Sequence, residues 1–180
     1  MKRQRRMYEL TLTAIVTALL SVSSLIYLPL TVPITLQTLL LFTSLFTLGG
    51  KITTAATGLY IIIGSIGLPV FSGFSGGVGR LFDATGGFIF GLLLASLLYW
   101  LLTSLTKTEW AALLFAVACH LLLYAVGTLW YALVYLSGEG SVFSALAVTV
   151  LPFLLPDALK LTVAYILSQR LKKIIDRTVS

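Results

Sequence analysis

Long apolar runs, separated by short stretches of glycine, proline or charge, dominate the pattern of this chain. A run closed by such residues is typical of a membrane helix that ends near the lipid surface. The second and third runs are short for full spans and meet at Gly49, which also fits a tilted or partly inserted hairpin. The pattern predicts six helices, over residues 8–27, 35–49, 52–67, 86–105, 109–136 and 147–170.

Composition places these helices in a lipid bilayer. The chain has 180 residues, of which 58% are hydrophobic and 10% charged, and its mean hydropathy is +1.04. A soluble domain of this length needs more charge to cover its surface. We therefore expect an all-α integral membrane protein with six transmembrane helices in one domain, residues 1–180. The basic start before the first run also fits a signal peptide, although the later runs favour one span among several.

The basic residues predict the orientation of the chain. With six spans both termini lie on one side, and ten of the twelve Lys and Arg residues fall on that side. By the positive-inside rule, we expect both termini in the cytoplasm and the protein in the cytoplasmic membrane. Only Arg80 and Lys160 remain for the outer half, so the net charge of +6 indicates a membrane surface and not nucleic acid. The ten residues are Lys2, Arg3, Arg5, Arg6, Lys51, Lys107, Arg170, Lys172, Lys173 and Arg177.

The outer side collects the irregular segments. Its connections are residues 28–34, 67–87 and 137–141, and Pro152 and Pro156 interrupt the start of the last helix. Irregular backbone near a membrane is tolerated only where protein buries it or water reaches it. We therefore expect a cavity at the outer face.

Asp157 and Lys160 are the first candidates for chemistry. Three residues apart on a helix, they share a face and can pair. A charge inside a membrane segment costs at least about 2.5–3.5 kcal/mol on insertion scales, which favours a binding site. The alternative is a helix start in which Asp157 faces the dipole and Lys160 extends towards water.

Arg80 and Asp83 form a second candidate pair, in the glycine-rich connection. A guanidinium suits a carboxylate, and glycines allow backbone amides to approach a ligand closely. A solvated loop whose two charges neutralise each other fits equally well. The stretch Gly73–Gly79 lacks the Gly-Lys-Ser/Thr ending of a nucleotide P-loop, so no nucleotide site is expected.

Other residues favour binding over catalysis. Cys119 and His120 are the only cysteine and histidine, so no metal site is predicted, and no Ser–His–acid set stands out. We expect His120 to be a hydrogen-bonded interior residue. Tyr124 and Trp130 fit either a ligand stack or an interfacial aromatic belt.

Four stretches of the chain, considered together, carry a family resemblance. They are VPITLQTLLLF (32–42), GLPVFSGFSGGVGRLFDATGGFIFG (67–91), LLYAVGTLW (122–130) and LPFLLPDALKL (151–161). They resemble the BioY family, the biotin-binding substrate (S) components of energy-coupling factor (ECF) transporters, and the second and fourth stretches are the specific ones. The resemblance implies six membrane helices around an outward-facing biotin pocket, roofed by the connections between helices one and two and between helices three and four.

The resemblance also implies the partners. These are a transmembrane coupling subunit and two ATP-binding subunits, so ATP hydrolysis is expected in the partners and this chain is expected to be neither an enzyme nor a cofactor carrier. Ala14 and Ala18 match the Ala-x-x-x-Ala face that docks on the coupling subunit. By spacing alone, such a pair equally serves packing inside the protein.

Site residues follow from the matched motifs. Asp157 and Lys160 match the Asp-x-x-Lys of the last helix. Our hypothesis gives Asp157 the ureido N–H of biotin and Arg80 or Lys160 its carboxylate. It gives the apolar ring or the pocket wall to Phe71, Tyr124 and Trp130. Where the family usually has Gly-Pro-Thr-Gly-Gly, this chain has Asp83 and Ala84 before Thr-Gly-Gly, and His120 lies where Asn is common. The predicted ligand set is Asp157, Lys160, Arg80, Thr85, Gly86, Gly87, Phe71, Ser72, Gly73, Tyr124, Trp130, Gln37 and His120.

Four alternatives stay open at this point. An S component for riboflavin or thiamine shares the architecture but needs a different pocket. A solitary biotin transporter works without the ATP-binding partners. A membrane enzyme acting on lipids needs a converged catalytic set, and a purely structural helical protein leaves the outer charges unexplained.

Overall fold

The computed structural model describes residues 2–106, 108–137 and 141–179, and their fold is helical apart from one small hairpin. The predicted all-α class is confirmed. A 3₁₀ helix covers Val78–Phe82, and a π-helical turn at Tyr131–Tyr135 extends the fifth helix. The elements are α1 (Lys2–Leu25), β1 (Tyr27–Leu28), β2 (Ile34–Thr35), α2 (Gln37–Leu48), α3 (Gly50–Ser65), α4 (Gly86–Leu105), α5 (Glu109–Trp130), α6 (Val142–Thr149) and α7 (Leu154–Val179).

The first helix begins six residues earlier than predicted. The basic segment continues α1 to Lys2 because Lys and Arg are good helix formers. At its other end the chain leaves the helix for β1, which pairs antiparallel with β2 in the register Tyr27 to Thr35. We name residues 26–36 the hairpin loop.

The last predicted helix, 147–170, is interrupted near its start, where the sequence has two prolines. Two helices, α6 and α7, lie there with a bend of 47° between them. Pro152 and Pro156 explain the break, because proline lacks the N–H that an interior helical residue donates. Pro156 is tolerated in the first turn of α7, where that N–H has no partner in the helix. Asp157, in the first turn of α7, lies in hydrogen-bond contact with Thr38 at the start of α2.

A glycine joins α2 to α3. Gly49 has φ +83°, a conformation that side chains disfavour. The next residue, Gly50, packs against α4 so closely that a Cβ atom there would lie 2.4 Å from the Trp100 Cα. The two glycines therefore permit both the turn and the contact.

Helix length and exposure fit a bilayer. Of the described helices, α1, α4 and α5 are each long and apolar enough to span a membrane, and the bent pair α6–α7 is a fourth candidate. With 12 and 16 residues, α2 and α3 are shorter than the roughly 20 residues of a full span. Large apolar side chains such as Ile62, Leu121 and Leu133 are exposed, as lipid-facing residues are.

Two packed clusters hold the helices together. One joins α2, α4, α5 and α7 around residues such as Phe42 and Leu123. The other joins α1 and α3 to residues 66–85, which we name the glycine-rich loop, through Leu20, Tyr60 and Phe71. At the opposite end of α1, Glu9 accepts a 2.7 Å bond from Lys51 of α3. The hairpin and glycine-rich loops therefore lie together at one end, over the junction of the two clusters.

Candidate functional site

A cavity lies beneath the two loops. Residues from both loops and from α2, α3, α4, α5 and α7 enclose it, so no single segment forms it. Its apolar lining is Val32, Pro33, Phe88, Ile89, Leu92, Leu123 and Phe153. Its polar lining is Thr35, Gln37, Thr38, Tyr60, Ser72, Thr85, Tyr124, Asp157 and Lys160. We name it the inner cavity.

Asp157 is the centre of the polar network in the inner cavity. Its Oδ1 accepts from Lys160 Nζ at 2.8 Å and from Thr38 Oγ1 at 3.1 Å. Its Oδ2 accepts from Tyr124 OH at 2.9 Å and lies 3.2 Å from His120 Nε2. A carboxylate has about four lone-pair sites, so all of them are engaged.

Helical spacing assembles this network. His120 and Tyr124 are four residues apart on α5, and Asp157 and Lys160 are three apart on α7, so each pair shares a face. Asp157 also lies in the first turn of α7, where the helix dipole favours a negative charge. Its side chain is 3% exposed and that of Lys160 is 12% exposed. A charge buried to this degree requires partners, and the network supplies them.

His120 supports Asp157 from behind the cavity. Its ring stacks on Phe42 at a centroid distance of 5.3 Å and meets Tyr124 edge-on at 4.7 Å. Its Nδ1 is buried, and no hydrogen-bond partner for it is found within the described part of the chain. His120 is therefore an interior residue that contacts the site through Nε2.

A second cavity, the outer cavity, opens above the first. It is lined by residues of the hairpin and glycine-rich loops and by Tyr135. Pro33, Ser72 and Thr85 line both cavities. The two cavities therefore adjoin each other.

Arg80 and Asp83 lie in the outer cavity and pair with each other. Arg80 Nε also donates to Ser75 Oγ at 2.7 Å, and its Nη2 donates to the Ser72 carbonyl at 3.3 Å. Asp83 Oδ1 accepts from the Ala84 amide at 2.7 Å. The two side chains are 35% and 34% exposed, so this pair stays in contact with water.

The predicted ligand residues separate into two groups. Eight line a cavity: Gln37, Tyr124, Asp157 and Lys160 the inner one, Gly73 and Arg80 the outer one, and Ser72 and Thr85 both. Five do not line either: Phe71, Gly86, Gly87, His120 and Trp130. Direct ligand contact stays a prediction for all thirteen residues.

Close packing explains four of the five. Phe71 lies against α3, where a Cβ atom at Gly64 would come within 2.1 Å of its ring. Trp130 covers the start of α4, where a Cβ atom at Gly87 would lie 2.2 Å from the Trp130 Cβ. At Gly86 the added atom would lie 1.8 Å from the Leu81 carbonyl. These residues hold the walls and the glycine-rich loop in place.

Sequence reasoning missed Thr38 and Tyr60. Thr38 is in the first turn of α2 and contacts Asp157, while Tyr60 OH accepts from Gln37 Nε2 at 2.8 Å. A signal existed for Tyr60, because a tyrosine inside an apolar helix needs a partner for its hydroxyl. Thr38 lies within the family-like stretch 32–42, but only the packing of α2 against α7 brings it to the carboxylate.

Ala14 and Ala18 are exposed on α1 and line neither cavity. Exposed apolar side chains, among them Ile15, Leu19 and Val22, accompany them. The pair is thus available to lipid or to a partner helix.

Comparisons with known proteins match nearly the whole chain. Residues 1–177 match the model of the BioY family. The chain is 36% identical over 169 residues to the biotin transporter BioY of Thermotoga maritima, covering 93% of this chain and 98% of that protein. It is 32% identical over 165 residues to the probable biotin transporter BioY of Pyrococcus horikoshii, covering 91% and 96%.

The fold is also found in a solved structure. A crystal structure of the S-component for biotin from an ECF-type ABC transporter matches with a TM-score of 0.82 and 24% identity, over 96% of this chain and 95% of that one. The S-component fold implied by the sequence motifs is therefore confirmed. From the family match and the two relatives, we conclude that the chain belongs to the BioY family.

Proposed function

We propose that this protein binds biotin and delivers it across the cytoplasmic membrane as the S component of an ECF transporter. The observation that carries the proposal is the buried Asp157–Lys160 pair at the polar end of an apolar cavity. Biotin needs an acceptor for its ureido N–H groups, a donor for its ureido carbonyl, an apolar surface for its thioether ring and a cation for its carboxylate. Membership of the BioY family supports the same ligand.

The ureido group binds at Asp157. Because all four lone-pair sites of its carboxylate are already engaged by protein groups, an entering N–H must replace one donor. Lys160 is the donor best suited to move, because its ammonium carries three protons on a flexible chain and lines the cavity. Lys160 then donates to the ureido carbonyl, next to the ureido N–H group that has replaced it at Asp157.

The thioether ring and the aliphatic chain occupy the apolar part of the inner cavity. Phe88, Leu92 and Leu123 supply surface there. The carboxylate extends towards the outer cavity, where Arg80 offers a guanidinium. Lys160 is engaged at the inner end, so Arg80 is the cation we assign to the carboxylate.

Transport requires partners that hydrolyse ATP. A coupling subunit docks on the Ala14–Ala18 face of α1, and two ATP-binding subunits act through it. With both termini in the cytoplasm, the two cavities face outward. The small polar surface of the protein allows the whole body to tilt in the bilayer and carry the ligand to the inner side. This chain acts as a carrier without catalysis of its own and without a cofactor.

Calorimetric titration of the purified protein tests the ligand. We expect one biotin per chain and no heat of binding with riboflavin or thiamine. A preference for either of those vitamins, or wild-type biotin affinity in both Asp157→Asn and Lys160→Ala, would refute the assignment. Biotin uptake by cells with and without the coupling and ATP-binding subunits separates a partnered S component from a solitary transporter.

A further inference from the structure

All three nitrogens of the Arg80 guanidinium have partners. Nε donates to Ser75, Nη2 donates to the Ser72 carbonyl, and Nη1 contacts Asp83. A carboxylate binds a guanidinium best through two parallel N–H bonds on one edge. Each edge of Arg80 already has at least one engaged nitrogen, so a ligand carboxylate docks in this way only if it displaces a partner.

Asp83 is the partner best able to leave. Ser75 is fixed by backbone bonds in both directions with Phe71, at 2.9 and 3.3 Å. The main chain of Asp83 is also held, because its carbonyl accepts from Trp130 Nε1 at 3.2 Å. Its side chain, however, is one third exposed and keeps the Ala84 amide as a second partner. It can therefore turn into water while the loop backbone stays in place.

The position of the pair fits an acidic ligand tail. Arg80 and Asp83 both line the outer cavity, and Ser72, which contacts Arg80, lines both cavities. In the binding mode proposed above, a ligand with its head at Asp157 has its terminal carboxylate at Arg80. Exchange at Arg80 is then the replacement of one carboxylate by another.

We propose that Asp83 is an internal competitor for Arg80: it holds the guanidinium before the ligand arrives and yields it to the carboxylate of the ligand. Because a ligand carboxylate must displace Asp83, acids bind less tightly than they would without Asp83. The binding of neutral analogues of the same shape is not affected. Asp83 thereby lowers the selectivity of the site for acids over neutral analogues. It also keeps the Arg80 side chain in position while no ligand is bound. This inference rests on the biotin function proposed above.

Biotin and biotinamide, which lacks the charged tail, provide the test. We compare their dissociation constants in the wild type, Asp83→Asn, Arg80→Gln and the double variant. Asn keeps the acceptor for the Ala84 amide and removes only the charge. We expect Asp83→Asn to bind biotin roughly two- to fivefold more tightly, the equivalent of one exposed ion pair, and to bind biotinamide as the wild type does. In the Arg80→Gln background, Asp83→Asn should change neither constant.

The matched control is Glu9→Gln. It removes another part-exposed acid of an ion pair, at the opposite end of α1, and should leave both constants unchanged. Weaker or unchanged biotin binding in Asp83→Asn overturns the proposal, because Asp83 would then assist the binding of the ligand carboxylate or have no influence on it. An equal loss of affinity for both ligands also overturns it. Asp83→Ser replaces Asp83→Asn if thermal unfolding shows that the latter is misfolded. Absence of biotin binding in the wild type overturns the proposed function and, with it, this inference.

Discussion

Two ion pairs with the same spacing, Asp157–Lys160 and Arg80–Asp83, occupy opposite ends of the binding region. The first lies at the start of α7 with both side chains nearly buried, and neutral donors from α2 and α5 complete it. The second lies in a loop, is about one third exposed, and is completed by loop residues. The sequence spacing of an ion pair therefore says little about how much the pair contributes to stability. Burial decides how much each charge depends on its partner.

This difference suits a site that holds one ligand group tightly and another exchangeably. The inner pair cannot separate without a replacement, since a lone charge there would be buried. The outer pair can separate because water solvates both of its part-exposed charges. We expect the inner pair to determine whether the ligand binds and the outer pair to adjust its selectivity.

The strongest test of this contrast removes one cation from each pair. Lys160→Met leaves the Asp157 charge buried without its counter-ion and should cost about 3–5 kcal/mol in free energy of unfolding. Arg80→Met, at the exposed pair, should cost about 1 kcal/mol or less. Unfolding of the detergent-solubilised proteins, followed by circular dichroism, measures both. Equal costs would contradict the distinction between the pairs.

The neutral donors to Asp157 should each have a smaller effect than Lys160. Tyr124→Phe removes the hydroxyl that donates to Asp157 Oδ2. A hydrogen bond to a charged group contributes about 1.5–3 kcal/mol to folding, so we expect the free energy of unfolding to fall by about that amount. Tyr99→Phe is the control, because Tyr99 is buried but lines neither cavity. If both variants unfold with the same free energy as the wild type, the hydroxyl of Tyr124 does not stabilise the network around Asp157.

Salt should affect the outer pair more than the inner one. Exposed charges are screened as the Debye length falls from about 10 Å at 0.1 M to about 3 Å at 1 M. Between 0.1 M and 1 M salt we expect biotin affinity to fall by a few fold in the wild type and to stay nearly constant in Arg80→Gln. Calorimetry with biotinamide as the uncharged reference measures the difference. An equal salt response of the two proteins would remove Arg80 from the carboxylate site.

The smallest expected effect on binding comes from α1. Ala14→Trp with Ala18→Trp enlarges an exposed face away from both pairs, so biotin affinity should be unchanged. Uptake and co-purification with the coupling subunit should be lost, because small residues allow helices to approach closely. Ile62→Trp, on the exposed surface of α3, is the control. Normal assembly of the double variant would refute the docking role.

Part of the site was predictable from the chain because its causes are local. The i,i+3 spacing of Asp157 and Lys160 on an interrupted helix predicted a pair, and a pair is present. Phe71 and Trp130 show the limit of such reasoning. An aromatic residue near a predicted pocket fits a ligand contact or a wall, and only the close approach of Gly64 and Gly87 favours the wall.

Hydropathy, glycine and proline positions and charge bias by themselves determined the membrane class, most of the helices and the candidate charges, because these depend on how each segment partitions between lipid and water. The tertiary structure decided the engagement of Asp157 by four side chains, one of them 119 positions away in the sequence. It also separated a buried from an exposed ion pair. Those features depend on which faces pack together, and in a bilayer, where lipid solvates every apolar face alike, hydrophobicity alone does not select them.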